Sequence, residues 1–374
     1  MRVFYFVRKI DMVPSCIYNI LMLRSLGYNV FVCCETTTDS INRVLDTEGV
    51  EYRFVSLKMN SITKLESLRI DRKYRKTTNE LLNEKAEDGD VAFLGTGDTV
   101  LCLRKEMRRI KTVVCIKELY DQQPFYRRLL SYYCKKATTI VACEKNRARV
   151  MYFSWKLRRI PEVLSNKPFL PAISFSKNET TLPEKVSSIV DRIIGHKVIL
   201  YQGYYIGYPV ELENIAHALA RMNSDYLFVL VGIIKESHKK KIESIYPNVI
   251  TVGHIKAPFH MEITRHASIG ITVYDETSLN NLFCAPNKIY EYAMFGIPSL
   301  CNDLPGLVET IGVNRAGLCV DIYSIDGIEK AIKEIDENYE YYSSAAKQFY
   351  QSEDNLSKID LIVKKTIAQQ DDIK

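Results

Sequence analysis

The chain has 374 residues, 47% hydrophobic and 26% charged, with only 16 Gly and 12 Pro. That length suits two domains of about 100–200 residues each, and the composition excludes a collagen-like, low-complexity or wholly disordered chain. The net charge of +6 is uneven: residues 1–170 hold 31 Lys and Arg against 19 Asp and Glu, the remainder 20 against 26. This asymmetry fits either an anionic partner for the first half or ordinary solvated helix faces.

In chain order, the first half alternates apolar runs with amphipathic stretches. Strands are predicted at Val3–Val7, Asn29–Cys34, Tyr52–Val55, Val91–Leu94, Thr112–Ile116, Thr139–Ala142 and Val163–Leu164. Helices are predicted at Ile17–Leu26, Thr77–Glu87, Thr99–Arg109, Pro124–Lys136 and Lys145–Phe153. This alternation implies a parallel sheet covered on both faces. Ser165–Pro183, with three prolines and little apolar periodicity, reads as a linker. The alternation then restarts, with strands at Val198–Tyr201, Tyr226–Val231, Val249–Val252, Ile269–Val273, Ser299–Cys301 and Leu318–Val320. Helices are predicted at Val210–Met222, His238–Ile245, Phe259–His266, Lys288–Phe295 and Leu307–Ile311, then from Ile325 to about Ile367.

The expected fold class is α/β, with two tandem Rossmann-like, doubly wound parallel-sheet domains facing a central cleft. Residues 1–170 form the first, 171–195 a linker, 196–345 the second, and 346–374 a C-terminal helix that could pack back on the first. In open parallel sheets, ligands bind outside the carboxyl ends of the strands. The ten cysteines are scattered without a CxxC pair, which predicts a reducing compartment and neither a disulfide framework nor a zinc site. No stretch approaches ~18 uncharged apolar residues, so the expectation is a soluble or peripheral, cytoplasmic protein. Asp88-Gly-Asp90 imitates a metal-binding DxD, but it precedes a strand and reads as a turn. No metal and no cofactor are expected.

The most informative run is Ala285-Pro-Asn-Lys-Ile-Tyr-Glu-Tyr-Ala-Met-Phe-Gly-Ile-Pro-Ser299. Pro286 and Asn287 suit a turn into a helix. Lys288 and Glu291, three apart, share a face near its start. A helix N-terminus favours an anion such as a phosphate, and a carboxylate one turn in can accept hydrogen bonds from a ribose diol. A plain surface Lys–Glu pair on a crossover helix would use the same spacing.

This run resembles the nucleotide-sugar site of GT-B glycosyltransferases, particularly the retaining family 4. Members often carry Pro-x-Lys-x-aromatic-Glu-Tyr-Met-Ala-x-Gly-x-Pro, matched here at Pro286, Lys288, Tyr290, Glu291, Tyr292, Gly296 and Pro298. Asn302–Gly306 and Gly317–Asp321 resemble the family's continuation, and the likeness spans roughly residues 198–321. The resemblance implies that Glu291 binds the nucleotide ribose and that Lys288 lies near the diphosphate, stabilising it as it departs. Asn287 and Pro286 would flank them, and Gly253, His254 and Ile255 would meet the base. The Gly203-Tyr204-Tyr205 loop and the amides of Asp303–Gly306 would face the phosphates and sugar.

Three features depart from the family pattern. Its second glutamate would fall at Phe283, so Asn280 or Asn281 is the substitute donor-sugar contact. Tyr205–Glu213 lacks the usual Arg and Lys clamp, and the first loop reads Asp11-Met-Val-Pro-Ser15 instead of carrying a Gly-Gly pair. All six histidines lie at residue 196 or later. A base in the first domain must therefore be a carboxylate, with Asp11 and Glu118 as candidates; a cap for Asp11 and a salt bridge for Glu118 are the structural alternatives.

The basic, aromatic stretches Phe125–Lys136 and Arg147–Arg159 suit an anionic membrane surface, or a core covered by snorkelling side chains. No nucleic-acid recognition motif appears. The expected protein is a metal-independent hexosyltransferase, retaining by default. It would move a sugar from a nucleotide sugar, UDP-linked in preference, to a saccharide or polyprenyl-linked acceptor at the inner face of a plasma membrane, as in bacterial surface polysaccharide synthesis. A nucleotide-sugar epimerase of the same fold and a non-catalytic nucleotide- or membrane-binding homologue are the alternatives.

Overall fold

A computed structural model describes residues 1–55, 64–169, 182–207 and 209–369. The chain falls into two compact units, one running from Met1 to Ser165 and regaining the chain from Asp354 onward, the other ending at Glu353. Most of the linker expected over Ser165–Pro183 lies outside the described residues.

The first unit holds β1 (Arg2–Phe6), β2 (Asn29–Cys34), β3 (Glu51–Phe54), β4 (Val91–Leu94), β5 (Lys111–Ile116), β6 (Thr139–Ala142) and β7 (Glu162–Val163). They form one parallel sheet in the order β3-β2-β1-β4-β5-β6-β7. Val3 pairs with Val30 on one side and Val91 on the other. Covered on both faces, β1 reads as an unbroken apolar run, not an alternating one.

The helices are α1 (Pro14–Ser25), α2 (Asp39–Thr47), α3 (Lys64–Lys85), α4 (Gly97–Cys102), α5 (Pro124–Cys134) and α6 (Lys145–Ser154). Proline's fixed φ suits the first position of α1. Two helical stretches go beyond those predicted. Thr38 starts α2 by accepting from the Ile41 amide at 3.3 Å, and α3 begins 13 residues before Thr77. The helix predicted over Thr99–Arg109 divides into α4 and a short 3-10 turn, Glu106–Arg108, whose Glu106 amide donates to the Leu103 carbonyl.

The C-terminal helix, Asn355–Ala368, packs on this unit. Tyr28 Oη donates to Asp360 at 2.6 Å, and the Thr139 and Thr366 hydroxyls meet at 2.7 Å. Lys111 Nζ donates to the carbonyls of Ile367 and Gln369 at 2.6 and 2.9 Å, a cation at the negative end of a helix.

The second unit holds β8 (Val198–Tyr205), β9 (Leu227–Ile233), β10 (Val249–Gly253), β11 (Ile269–Thr272), β12 (Ser299–Asn302) and β13 (Gly317–Val320). All are parallel, in the order β10-β9-β8-β11-β12-β13. Its longer helices are α7 (Glu184–Ile193), α8 (Pro209–Arg221), α9 (Glu236–Ile245), α10 (His260–Thr264), α11 (Leu279–Leu282), α12 (Asn287–Met294), α13 (Ile325–Glu337) and α14 (Tyr339–Ser352). The helix predicted over Leu307–Ile311 is a short helical stretch, Pro305–Leu307 continuing as a π-helix over Val308–Gly312.

Residues 184–193 are helical: Val186, Ile189 and Ile193 of α7 are buried with Val198, Leu200 and Val229. The helical material from Ile325 onward is three helices. Ala346, Phe349 and Tyr350 of α14 are buried with Ile289 and Tyr290 of α12. Asp354 starts the last helix by accepting from the Ser357 amide at 3.0 Å.

One close approach fixes α12 on its sheet. Tyr292 is fully buried, and its Oη donates toward the carbonyls of Leu200 and Ile271 at 3.1 and 3.3 Å. The ring fills the space where Gly270 has no side chain; a Cβ there would lie 2.2 Å from it. Both sheets reverse strand order beside their first strands, at β1/β4 and at β8/β11, and such switch points are where doubly wound folds bind ligands.

Candidate functional site

In the second unit, the carboxyl ends of β8 and β10 and the start of α12 bring the main candidates together. Lys288 and Glu291 lie on the first two turns of α12 and are only 8% and 5% exposed. They are not the surface pair that spacing alone also allowed. Glu291 Oε2 accepts from Gln202 Nε2 at 2.5 Å, and its Oε1 lies 3.4 Å from His260 Nε2. The Thr264 hydroxyl donates to Gln202 Oε1 at 2.6 Å.

Lys288 Nζ lies 4.1 Å from the ring centre of Tyr201 and 5.6 Å from that of Tyr274. Burial pushes its amine down to about 8, against the opposing pull of Glu291. The ammonium is held by ring faces. Pro286 precedes α12 with no side-chain cap, which leaves the first-turn amides, from Asn287 on, to backbone partners or a ligand.

The surrounding loops are fixed from within the unit. Asn302 Nδ2 donates to the Tyr274 carbonyl at 2.6 Å, and the Tyr274 amide donates back at 3.3 Å. Asn166 Nδ2 donates to the Ala285 carbonyl at 2.9 Å. Gly306 packs against the Cys284 backbone, where a Cβ would meet the amide and carbonyl at 2.8 Å. Among the amides expected to face phosphate, that of Asp303 donates to the Val320 carbonyl at 3.1 Å.

Gly203, Tyr204 and Tyr205 form the end of β8, not a free loop, and the pairing with β9 shifts register between Gln202 and Tyr205. The close approach at Gly203 is to Gly232, where a Cβ would lie 2.5 Å from the Gly203 carbonyl. Tyr204 packs edge-on against His254, with ring centres 4.8 Å apart. Partial burial lowers the His254 imidazole, as do the neighbouring His260, Lys256 and Lys185. Gly253 has φ +72°, and a Cβ on it would lie 3.3 Å from Lys185 Nζ. Ile255 is buried in the core with Ile263 and Val252.

Asn281 Nδ2 donates to Asp275 Oδ1 at 2.9 Å, an oxygen that also accepts the Thr277 amide at 2.9 Å. That asparagine is part of a loop staple. Asn280 lies beside it on α11. At the start of α8, where the family clamp would be, Glu211 accepts from Tyr323 Oη at 3.1 Å and Glu213 pairs with Lys241 at 2.6 Å. The region is acidic and internally paired.

In the first unit, both carboxylate candidates have structural partners. Asp11 accepts from the Thr36 hydroxyl at 2.7 Å. Glu118 is exposed, 3.5 Å from Arg147 Nη1. Asp88-Gly-Asp90 is a turn with Gly89 at φ +89°; Asp90 accepts from Arg2 N and Nε, both at 3.0 Å.

Sequence reading missed a charge cluster past the ends of β1, β2 and β4. Arg8 Nε donates to Glu35 at 2.6 Å, its Nη2 lies 2.7 Å from Asp71, and Asp98 is 3.9 Å from Nε. Strand-end position was the available signal for Arg8, Glu35 and Asp98. It also missed Gln202, Thr264, His260 and Lys185, which no local motif marks.

Among the described residues, no group of three or more His, Cys, Asp and Glu is placed to hold a metal ion. No described helix is long and apolar enough to cross a membrane. The basic aromatic stretches divide sharply. Trp155 and Arg147 are 2% and 5% exposed, whereas Phe125 and Phe153 are 81% and 85% exposed.

No family model matches the chain, and no curated protein does. Solved structures do. The chain is similar to HepE of Anabaena in complex with UDP and glucose, at 12% identity and TM-score 0.70, with 97% of this chain and 98% of that one covered. It is similar to a glycosyltransferase from Rickettsia africae, at 14% identity and TM-score 0.68, with 99% of each chain covered. A third likeness is to a putative UDP-N-acetylglucosamine 2-epimerase from Listeria monocytogenes, at 12% identity and TM-score 0.62, over 97% of this chain and 95% of that one. The expected GT-B architecture of two Rossmann-like parallel-sheet units is what the structure has.

Proposed function

We propose that the protein is a glycosyltransferase whose second unit binds a nucleotide sugar, UDP-linked in preference, for transfer to a saccharide or lipid-linked saccharide. The observation that carries this reading is the buried Lys288–Glu291 pair on α12, at the carboxyl end of a sheet. Glu291 supplies the acceptor for ribose hydroxyls. Lys288 and the first-turn amides of α12 meet the diphosphate as negative charge builds on the leaving group, which is transition-state stabilisation without a metal. Tyr204, His254 and Gly253 lie where the base would sit, with Lys185 beside them. Asn280 and Asn281 are the donor-sugar candidates, Asn281 being held in place by its bond to Asp275.

Asp11 or Glu118 takes the acceptor proton in this reading. Retention is the default because the resemblance is to retaining enzymes. The likeness to structures solved with UDP supports the choice of base. Exposed Phe125 and Phe153, among Arg128, Lys145 and Arg149, fit shallow insertion at an anionic membrane, and so a lipid-linked acceptor. Surface polysaccharide synthesis is the setting that this acceptor suggests.

The likeness to an epimerase keeps that reaction as the rival reading. An epimerase would yield an isomerised or free sugar with no acceptor present; a transferase requires one. A thermal-shift screen with UDP, GDP and ADP and their sugars tests the donor side. UDP compounds should raise the melting temperature most, and no shift with any nucleotide would contradict the reading.

A further inference from the structure

Taking the nucleotide site just described as premise, we propose that Gln202 and Thr264 form a positioning relay that aims Glu291 at a ribose hydroxyl, making the site selective for ribonucleotides over 2′-deoxyribonucleotides. Thr264 lies at the end of α10, Gln202 near the end of β8, and Glu291 on α12, yet they meet in one buried line. Thr264 Oγ1 donates to Gln202 Oε1 at 2.6 Å, and Gln202 Nε2 donates to Glu291 Oε2 at 2.5 Å.

The chemistry dictates the direction of this line. An ionised carboxylate only accepts, so the amide nitrogen faces Glu291 and the amide oxygen faces Thr264. The single hydroxyl proton then points at that oxygen. The competing acceptor, the His260 carbonyl, is farther away at 3.0 Å. Thr264 therefore fixes which way the amide lies, and the amide fixes the carboxylate, whose terminal torsion is otherwise broad.

With Oε2 engaged by Gln202, Oε1 is the oxygen presented to a ligand, on the side of His260 Nε2 at 3.4 Å. A rigid, desolvated acceptor discriminates strongly. A sugar lacking the hydroxyl leaves that oxygen unpaired in a buried site. A relay serving only its own hydrogen-bonding needs would stabilise the fold and leave nucleotide choice untouched, so the ratio of affinities separates the two roles.

The test is calorimetric titration of UDP and 2′-deoxy-UDP into the full chain, as wild type, Gln202→Leu, Thr264→Val and Thr264→Ser. The wild type should favour UDP by about tenfold, the scale of one hydrogen bond to a charged group. Gln202→Leu should bring the ratio to within about threefold of unity, chiefly through weaker UDP binding. Thr264→Val should fall between, and Thr264→Ser, which keeps the hydroxyl, should retain the wild-type ratio. Thermal unfolding checks that each variant is folded, and the Thr264 pair decides the matter if Gln202→Leu is not. An unchanged ratio in folded Gln202→Leu or Thr264→Val would overturn the relay. Equal affinity of the wild type for both nucleotides would overturn it and leave the nucleotide site standing. Failure of the wild type to bind either would remove the nucleotide reading, and the relay with it.

Discussion

The two sheets share one strand order around their first strands, but the charges at their carboxyl ends are handled in opposite ways. In the first unit, Arg8 is surrounded by carboxylates, with Glu35 and Asp71 at 2.6 and 2.7 Å and Asp98 at 3.9 Å. In the second, Lys288 is buried against the rings of Tyr201 and Tyr274. A cation saturated by carboxylates serves the fold. One desolvated over ring faces, with Glu291 pulling against that burial, gains from an incoming anion. Residues 1–170 nonetheless carry a basic excess, 31 Lys and Arg against 19 Asp and Glu. Part of it lies on α5 and α6, where Arg128, Lys145 and Arg149 are exposed beside Phe125 and Phe153.

The largest losses are expected where close approaches are filled. Gly270→Ala puts a Cβ 2.2 Å from the Tyr292 ring, and Gly95→Ala puts one 2.8 Å from Tyr5 Cε1. Urea unfolding should show a loss of about 3 kcal/mol for the first and about 1 kcal/mol for the second. Only Gly270→Ala should also weaken nucleotide binding, because α12 rests on that contact.

Next in size is Arg8→Met. It strands the buried Glu35 carboxylate and should lower stability by about 2 kcal/mol in urea unfolding. UDP affinity should be unchanged, since the partners of Arg8, Glu35 and Asp71, lie in its own unit.

A smaller effect separates the two cations by pH. The Lys288 amine, held down to about 8 by burial, loses its proton as pH rises through that value. Affinity for a diphosphate should therefore fall from pH 7 to 9, by up to about tenfold. Calorimetry on Lys288→Met should give a flat profile. Arg8 keeps its charge over this range, so the first unit should contribute no such slope.

The smallest effect on stability is expected for Phe153→Ser, within about 0.5 kcal/mol because the ring is exposed. Co-sedimentation with anionic vesicles should nonetheless drop, and should already fall with salt in the wild type. Equal binding to neutral vesicles would contradict the membrane contact.

Strands were readable because parallel sheets bury both faces, leaving runs such as Val30–Cys34 and Leu227–Val231 without polar interruptions. Helices were harder. Ile41, Val44 and Leu45 of α2 hide behind the polar run Thr36–Ser40, and α7 adjoins the proline-rich stretch. Lys288 and Glu291 were readable because one short segment carries them. Their partners were not: Gln202 is 89 positions from Glu291 and 62 from Thr264, and only the sheet brings them together. The end of β8 was misread as loop because Gln202 and Gly203 interrupt its apolar pattern.

The reading of the second unit depends on the buried carboxylate on α12 holding a nucleotide. Titration calorimetry of UDP into the wild type and Glu291→Ala tests it most directly. The wild type should bind, and the variant should bind about 10- to 100-fold more weakly while remaining folded, its melting temperature lowered only by the loss of the Gln202 bond. Equal affinity in the two proteins would contradict the account.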